Sequence, residues 1–70
     1  MLNELFLAEY QQSCILSVQQ LSDWRLNNDQ KILAKRLQDD NFFQDNSRIL
    51  GKIYLEAMEK EIERREEKTK

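Results

Sequence analysis

"SRILGKIYLEAMEKEIERREE", residues 47–67, is the stretch that decides the fold, because most of its residues are strong helix formers. It predicts a long helix, yet the only glycine of the chain, Gly51, lies one turn inside it. A glycine in a helix interior costs about 1 kcal/mol relative to alanine. One reason to keep it there is that the missing Cβ lets another backbone come close. The stretch therefore raises the question of what packs at Gly51.

The apolar residues of this predicted helix form two stripes on a wheel drawn at about 100° per residue. The broader stripe is expected to face the core and comprises Ile49, Leu50, Ile53, Tyr54 and Ala57. The other, which we call the Gly51 stripe, comprises Gly51, Leu55, Met58 and Ile62. Its steps of four, three and four are typical of helices that pack on helices. We interpret it as the contact for a helix from outside the domain. Two alternatives remain open: the stripe packs against the first helix of the same chain, or Gly51 merely occupies a first turn, where glycine costs little.

The rest of the chain also favours helices, since it has no proline and its apolar residues recur at spacings of three and four. The fold class predicted is all-α: a small three-helix domain, long, short and long, with helices one and three antiparallel. The helices are expected at about residues 2–21, 29–38 and 47–67, with Asn27 or Asn28 as the N-cap of the second. Trp24 is expected to end the main apolar stripe of helix one and to pin an edge of the core. Helix one is apolar on two sides, which indicates burial on more than one side.

The size of the chain indicates a single domain that gains stability from a partner. Its 70 residues contain one cysteine, Cys14, and no histidine, so neither an intrachain disulfide nor a typical zinc site can form. Chains below about 70–80 residues rarely obtain more than ~3–5 kcal/mol from one core. We therefore expect oligomerisation to complete the fold, with a homodimer as the default because two-fold dimers are the commonest soluble oligomers.

Composition and motifs argue against several classes of function. No nucleophile has a base nearby, so we expect no enzyme activity and no cofactor. Cys14 lies on an apolar stripe and is expected to be a buried core residue. The loop acids Asp39, Asp40 and Asp45 lack the glycine and ligand spacing of a calcium loop.

No segment resembles a signal peptide or a membrane span, and a free cysteine fits a reducing compartment, so a cytoplasmic location is expected. The charged run EKEIERREEKTK, which includes the i,i+4 pair Glu61 and Arg65, is expected to be a solvated helix end.

The sequence then favours a protein-interaction module of the inhibitor, adaptor or co-chaperone type, binding to itself or to another protein by helix–helix contact. Two apolar stripes on each long helix are more than one three-helix monomer can cover, and large exposed apolar patches usually mark interaction sites. Phe42 and Phe43, adjacent in the second loop, are further candidates for such a contact, unless both fold over the core.

A nucleic-acid-binding regulator is the alternative function. It would be a small dimer that contacts phosphates through basic residues on and just before helix two: Arg25, Lys31, Lys35 and Arg36. Against it stands the net charge of −2 with a pI near 5.1, since nucleic-acid-binding domains are usually basic.

Overall fold

Three helices account for almost all of the chain that the structure describes. The computed structural model describes residues 3–39 and 46–68, and 90% of them are helical with no strand among them. The helices are α1 (Glu4–Gln19), α2 (Asp23–Leu37) and α3 (Asn46–Lys68). The predicted all-α class and the three-helix architecture are confirmed. The second helix remains the shortest, although by a single residue.

Side-chain caps define where α1 and α2 begin. The Asn3 Oδ1 accepts a hydrogen bond from the Phe6 backbone N–H at 2.7 Å, and the Ser22 Oγ accepts one from the Arg25 N–H at 3.2 Å. Each cap satisfies an N–H group that has no partner within its own helix. The expected start of helix two, after a cap at Asn27 or Asn28, is therefore wrong, because Ser22 already caps the chain and α2 begins at Asp23.

The cap assignment can be tested by comparing Ser22→Ala with Asn28→Ala. Loss of an N-cap hydroxyl costs roughly 1 kcal/mol, so Ser22→Ala should lower the free energy of unfolding by about that amount in urea titrations followed by circular dichroism. Asn28 lies inside the helix, and alanine is the best helix former, so Asn28→Ala should cost less than about 0.5 kcal/mol. The opposite order would return the cap to the position expected from sequence.

The helix directions differ from the expectation in one respect. α2 runs antiparallel to α3: Asp23 at its start pairs with Arg65, and the Leu37 carbonyl at its end accepts a 2.7 Å hydrogen bond from Arg48. α1 runs parallel to α3, because Tyr10 lies near Tyr54 while the end of α1 lies against Arg65. The antiparallel arrangement predicted for helices one and three is therefore wrong. Each connection reverses the chain, and two reversals restore the original direction.

The core lies where α1 and α2 pack on α3, which is the central helix. Its buried apolar residues are Cys14 and Val18 from α1, Leu26 from α2, and Ala57 and Met58 from α3. Cys14 is buried as expected. Among the described residues, α1 and α2 touch each other only slightly. Both helices therefore pack their apolar faces on α3 and hardly on each other, which leaves a cleft between them.

Candidate functional site

A groove lies on the side of α2 that faces α1, above α3. Its volume is ≈ 320 Å³, and its lining residues are Asp29, Ile32, Leu33, Arg36, Tyr54 and Met58. Tyr54 forms the floor together with the fully buried Met58 at its base, so that Tyr54 alone is accessible there, and the α2 residues form one wall. The wall has an apolar centre and a charged rim, a composition that suits an amphipathic helix better than a small polar molecule.

Aromatic residues of α1 adjoin this groove through Tyr54. Phe6 stacks on Tyr10 with ring centroids 6.2 Å apart, and Tyr10 lies near Tyr54 on the groove floor. Phe6 remains exposed although it belongs to this stack. The two aromatic residues thus extend the apolar surface from α3 up the side of α1. We call the whole feature, from Phe6 and Tyr10 across Tyr54 to Ile32, the cleft.

Burial raises the pKa values of the two tyrosine hydroxyls and the thiol at the cleft. Burial raises the pKa of Tyr10, and burial together with the nearby Asp29 carboxylate raises the pKa of Tyr54. Burial also raises the pKa of the Cys14 thiol, although a hydrogen bond with the Tyr10 hydroxyl acts in the opposite direction. A thiol must ionise to act as a nucleophile. The arrangement therefore favours binding of an apolar surface over nucleophilic chemistry.

The end of the cleft where α1 turns into α2 is closed by Arg65. Its guanidinium donates hydrogen bonds to the Glu61 Oε2 at 2.7 Å, to the Asp23 Oδ1 at 2.7 Å and to the Leu21 carbonyl at 2.8 Å. Longer contacts reach the carbonyls of Val18 and Gln19 at the end of α1. A cation at this place satisfies orphan carbonyls and opposes the negative end of the α1 dipole. One side chain therefore joins all three helices.

Glu61 completes this charged cluster from inside the core region. It is buried, and it accepts hydrogen bonds from Arg64 at 2.9 and 2.7 Å as well as from Arg65. The hydrogen bonds from Arg64 lower the pKa of Glu61 to about 2, with burial acting in the opposite direction and Arg65 adding to the decrease. The expectation of a solvated helix end is therefore wrong for Glu61 and Arg65, because α1 and α2 cover this side of α3.

The low pKa of Glu61 predicts that stability falls in acid. The folded value of about 2 lies below the ordinary 4.5, so between these pH values the unfolded chain binds more protons than the folded chain. The stabilisation is thus complete above pH 4.5 and disappears as the pH falls toward 2. Because Arg64 is half exposed and screened by solvent, we expect a contribution of about 1–2 kcal/mol.

Urea unfolding of the wild type and of Glu61→Gln at several pH values measures this contribution. The variant should be less stable at pH 7 and should lose the part of the acid dependence that lies between pH 4.5 and 2. Glu63→Gln, on the exposed side of α3, is the matched control and should keep that dependence. An unchanged acid profile in Glu61→Gln would contradict the assignment.

Several large apolar side chains remain exposed on the described surface. They are Leu5, Phe6 and Leu16 on α1, Trp24 and Ile32 on α2, and Ile49 on α3. Trp24 is 75% exposed, so the expectation that it pins a core edge at the end of helix one is wrong. It belongs to the first turn of α2, where its side chain points away from α3. Exposed apolar surface of this kind is where interaction sites are usually found.

The residues of the Gly51 stripe lie at the contact between α3 and α2. Met58 is fully buried, and Gly51, Leu55 and Ile62 are half-buried. Ile62 lines a smaller groove together with Leu26 and Asn27, and Met58 lines the larger one together with Ile32 and Leu33, so these two residues of the stripe face the second helix of their own chain. Met58 thus has no surface to offer a partner. Contact of the other three residues with a partner stays a prediction, and Phe42 and Phe43 lie outside the described residues.

The four basic residues considered for nucleic-acid binding are all exposed on α2, but they do not share one face. Arg25 pairs with Asp29 at 3.5 Å on the cleft side, and Arg36 lines the groove. Lys31 and Lys35 lie on the outer side, at helical spacing from Trp24. The structure thus divides the set into two pairs.

The residues that sequence reasoning missed are those that only the tertiary arrangement brings together. Phe6, Tyr10 and Ile32 occur at helical spacing within apolar stripes of their own helices, a pattern that does not show that they flank one cleft. For Arg65 a signal existed, since Glu61 precedes it by four residues. That spacing does not distinguish an exposed pair from a buried one.

Comparison with known proteins identifies no family for this chain. No protein-family model, no curated protein and no solved structure matches this chain. Within residues 3–39 and 46–68 no group of three potential metal-ligating side chains comes together. No helix in that part of the chain is both long and apolar enough to cross a membrane.

Proposed function

We propose that this protein is a non-catalytic interaction module that works by helix–helix binding in the cytoplasm. The observation that carries the proposal is the cleft, because its two walls leave Phe6 and Ile32 exposed on either side of Tyr54. Burial of apolar surface is the main driving force of protein association. A helix laid in this cleft would cover both walls and give α1 and α2 the contact that they lack with each other. The free, buried Cys14 supports a reducing compartment.

The arrangement of the helices supports a helix as the bound element. Helices pack at interaxial distances of 8–10 Å, and α1 and α2 both pack on α3 while touching each other only slightly, so a fourth helix can lie between them. The bound helix would supply apolar residues at i, i+3, i+4 and i+7, the usual anchors of helix-in-groove recognition. Inhibitors, adaptors and co-chaperones all work by occupying a partner surface in this manner, and the proposal does not choose among these roles.

A pull-down from the source cells with variants of the tagged chain tests the proposal. Ile32→Asp places a charge in the cleft and should abolish capture of the binding partner, whether that partner is a second copy or another protein. Ile49→Asp, an equal change on α3 at an exposed position outside the cleft, should leave capture unchanged. Circular dichroism confirms that both variants fold. Equal capture by the wild type and both variants would overturn the proposal.

Nucleic-acid binding is a second candidate because of the outer side of α2. Lys31 and Lys35 are exposed there beside Trp24, and cations next to an exposed aromatic ring can bind phosphates and stack on bases. Mobility-shift assays with DNA and RNA in about 50 mM salt test this. Binding that weakens with added salt and with Lys35→Glu would support the candidate, whereas no shift at micromolar protein would remove it.

A further inference from the structure

We infer that the helix bound in the cleft is α1 of a second copy of this chain. Each α1 lies antiparallel to the other about a two-fold axis, between α1 and α2 of the partner. The inference rests on the proposed function and gives its site an occupant. Three features of α1 and α2 lead to it: a self-complementary stripe, complementary charges, and an apolar outer side on α1.

The stripe consists of Phe6, Tyr10, Ser13 and Ser17, which follow one another at steps of four, three and four. That spacing keeps them on one side of α1, the side that continues from the Phe6–Tyr10 stack along the cleft. Its first half is large and its second half is small. Two such stripes pack well only when they run antiparallel, so that Phe6 lies opposite the partner's Ser17 and Tyr10 lies opposite the partner's Ser13. The pattern thus matches an isologous two-fold contact, in which one patch binds its own copy.

Charges on the two helices are complementary as well. α1 contains Glu4 and Glu9 and no lysine or arginine. The α2 wall of the cleft carries two bases, Arg25 and Arg36, and one acid, Asp29, which pairs with Arg25, and Lys31 lies beyond the wall. An α1 helix in the cleft therefore brings its acids toward the basic helix of the partner, twice in one dimer. Complementary charges of this kind select the partner and its orientation.

The outer side of α1 gives the bound helix an apolar surface for α2. Leu5 is 70% exposed and Leu16 is 52% exposed, and both lie opposite the core face of α1. In the dimer this outer side faces Ile32 of the partner subunit, while the stripe faces α1 of the partner subunit. Each α1 is then covered on three sides, which accounts for a first helix with apolar residues around most of its circumference.

Sedimentation equilibrium over a range of micromolar concentrations, with a size-swap pair of variants, tests the inference. Phe6→Ser removes the large residue, and Ser17→Phe sets two phenylalanines against each other, so each change alone should weaken dimerisation by at least about tenfold. The double variant with both changes exchanges large and small at the two symmetry-related Phe6–Ser17 pairs, leaves the Tyr10–Ser13 pairs unchanged, and should recover dimerisation to within about threefold of the wild type. Ile49→Ser is the matched control, because Ile49 and Phe6 are both 44% exposed and Ile49 lies outside the cleft.

Recovery in the double variant supports the antiparallel contact, because an unfolding effect of either change would accumulate and not cancel. A wild type that stays monomeric throughout, or a double variant no better than the single ones, overturns the inference. The proposed function fails separately: it survives a monomeric wild type if that wild type captures another protein and Ile32→Asp does not. Circular dichroism of every variant shows that the comparison is made between folded chains.

Discussion

Arg65→Met is expected to lower the free energy of unfolding by about 3 kcal/mol, since it removes one partner from a largely buried ion pair. Methionine keeps much of the side-chain length and its helix propensity, so the loss comes from the guanidinium. Without it, Glu61 retains only Arg64, and the Leu21 carbonyl loses a 2.8 Å hydrogen bond. A chain of this size has a total stability of roughly 3–5 kcal/mol. The variant should therefore be partly unfolded at 25 °C.

Urea unfolding followed by the helical circular dichroism signal measures the effect. Arg64→Met is the matched control, because it also removes a guanidinium that donates to the Glu61 carboxylate, at 2.9 and 2.7 Å, but from a half-exposed side chain whose hydrogen bonds among the described residues stay within α3. It should cost about 1 kcal/mol. Equal losses in the two variants would show that Glu61 pairing alone matters and that the link from Arg65 to α1 and α2 contributes nothing.

Leu26→Ala is expected to cost about 3 kcal/mol, within the range for fully buried leucines. Leu26 has no exposed surface and packs on α3 among the core residues. It also lies in the first turns of α2, next to Leu21, which precedes the Ser22 cap. An apolar residue before the cap and another four positions into the helix form a hydrophobic staple. The substitution would therefore have two effects, because it would leave a cavity in the core and also weaken this staple.

Thermal and urea unfolding of Leu26→Ala, with Ile49→Ala as control, measure this cost. Ile49 is a large aliphatic residue on α3 that keeps much of its surface exposed, so its truncation should cost less than about 1 kcal/mol. The comparison also tests the corrected boundary of α2. If residues 23–28 formed a surface loop, as the sequence suggested, Leu26→Ala would be as mild as the control.

Features that depend on residues close together in the sequence were mostly predicted correctly, and features that depend on distant residues were mostly not. The third helix could be predicted within a residue or two, because residues 47–67 combine strong propensity with helical periodicity. The start of α2 was missed because Asn27 and Asn28 compete with Ser22 as caps. In the structure the Asn27 side chain instead donates to the Asp23 carbonyl within the helix, at 2.8 Å. Burial of Cys14 could be predicted from its place on an apolar stripe.

For the candidate site, the sequence predicts that exposed apolar surface exists but does not predict where on the fold it lies. The sequence shows that apolar surface exceeds what a three-helix monomer can bury, but it assigned the excess to the Gly51 stripe. In the structure Met58 of that stripe is fully buried, whereas contact of Gly51, Leu55 and Ile62 with a partner stays a prediction. Further exposed apolar surface lies on α1 and on the wall of α2 around Ile32. Which of two apolar stripes becomes core depends on where the neighbouring helix lies, and periodicity along one helix contains no information about that position.

The sequence by itself determined the helical class, the number of helices and the absence of a disulfide, because propensity, spacing and residue counts act within a few positions of the chain. Tertiary structure alone decided that α1 runs parallel to α3, that Arg65 joins three helices and that Glu61 is buried. These features arise from residues separated by more than 40 positions, such as Asp23 and Arg65. Their physical cause is that α1 and α2 both gain more by packing on α3 than on each other, which leaves the cleft between them.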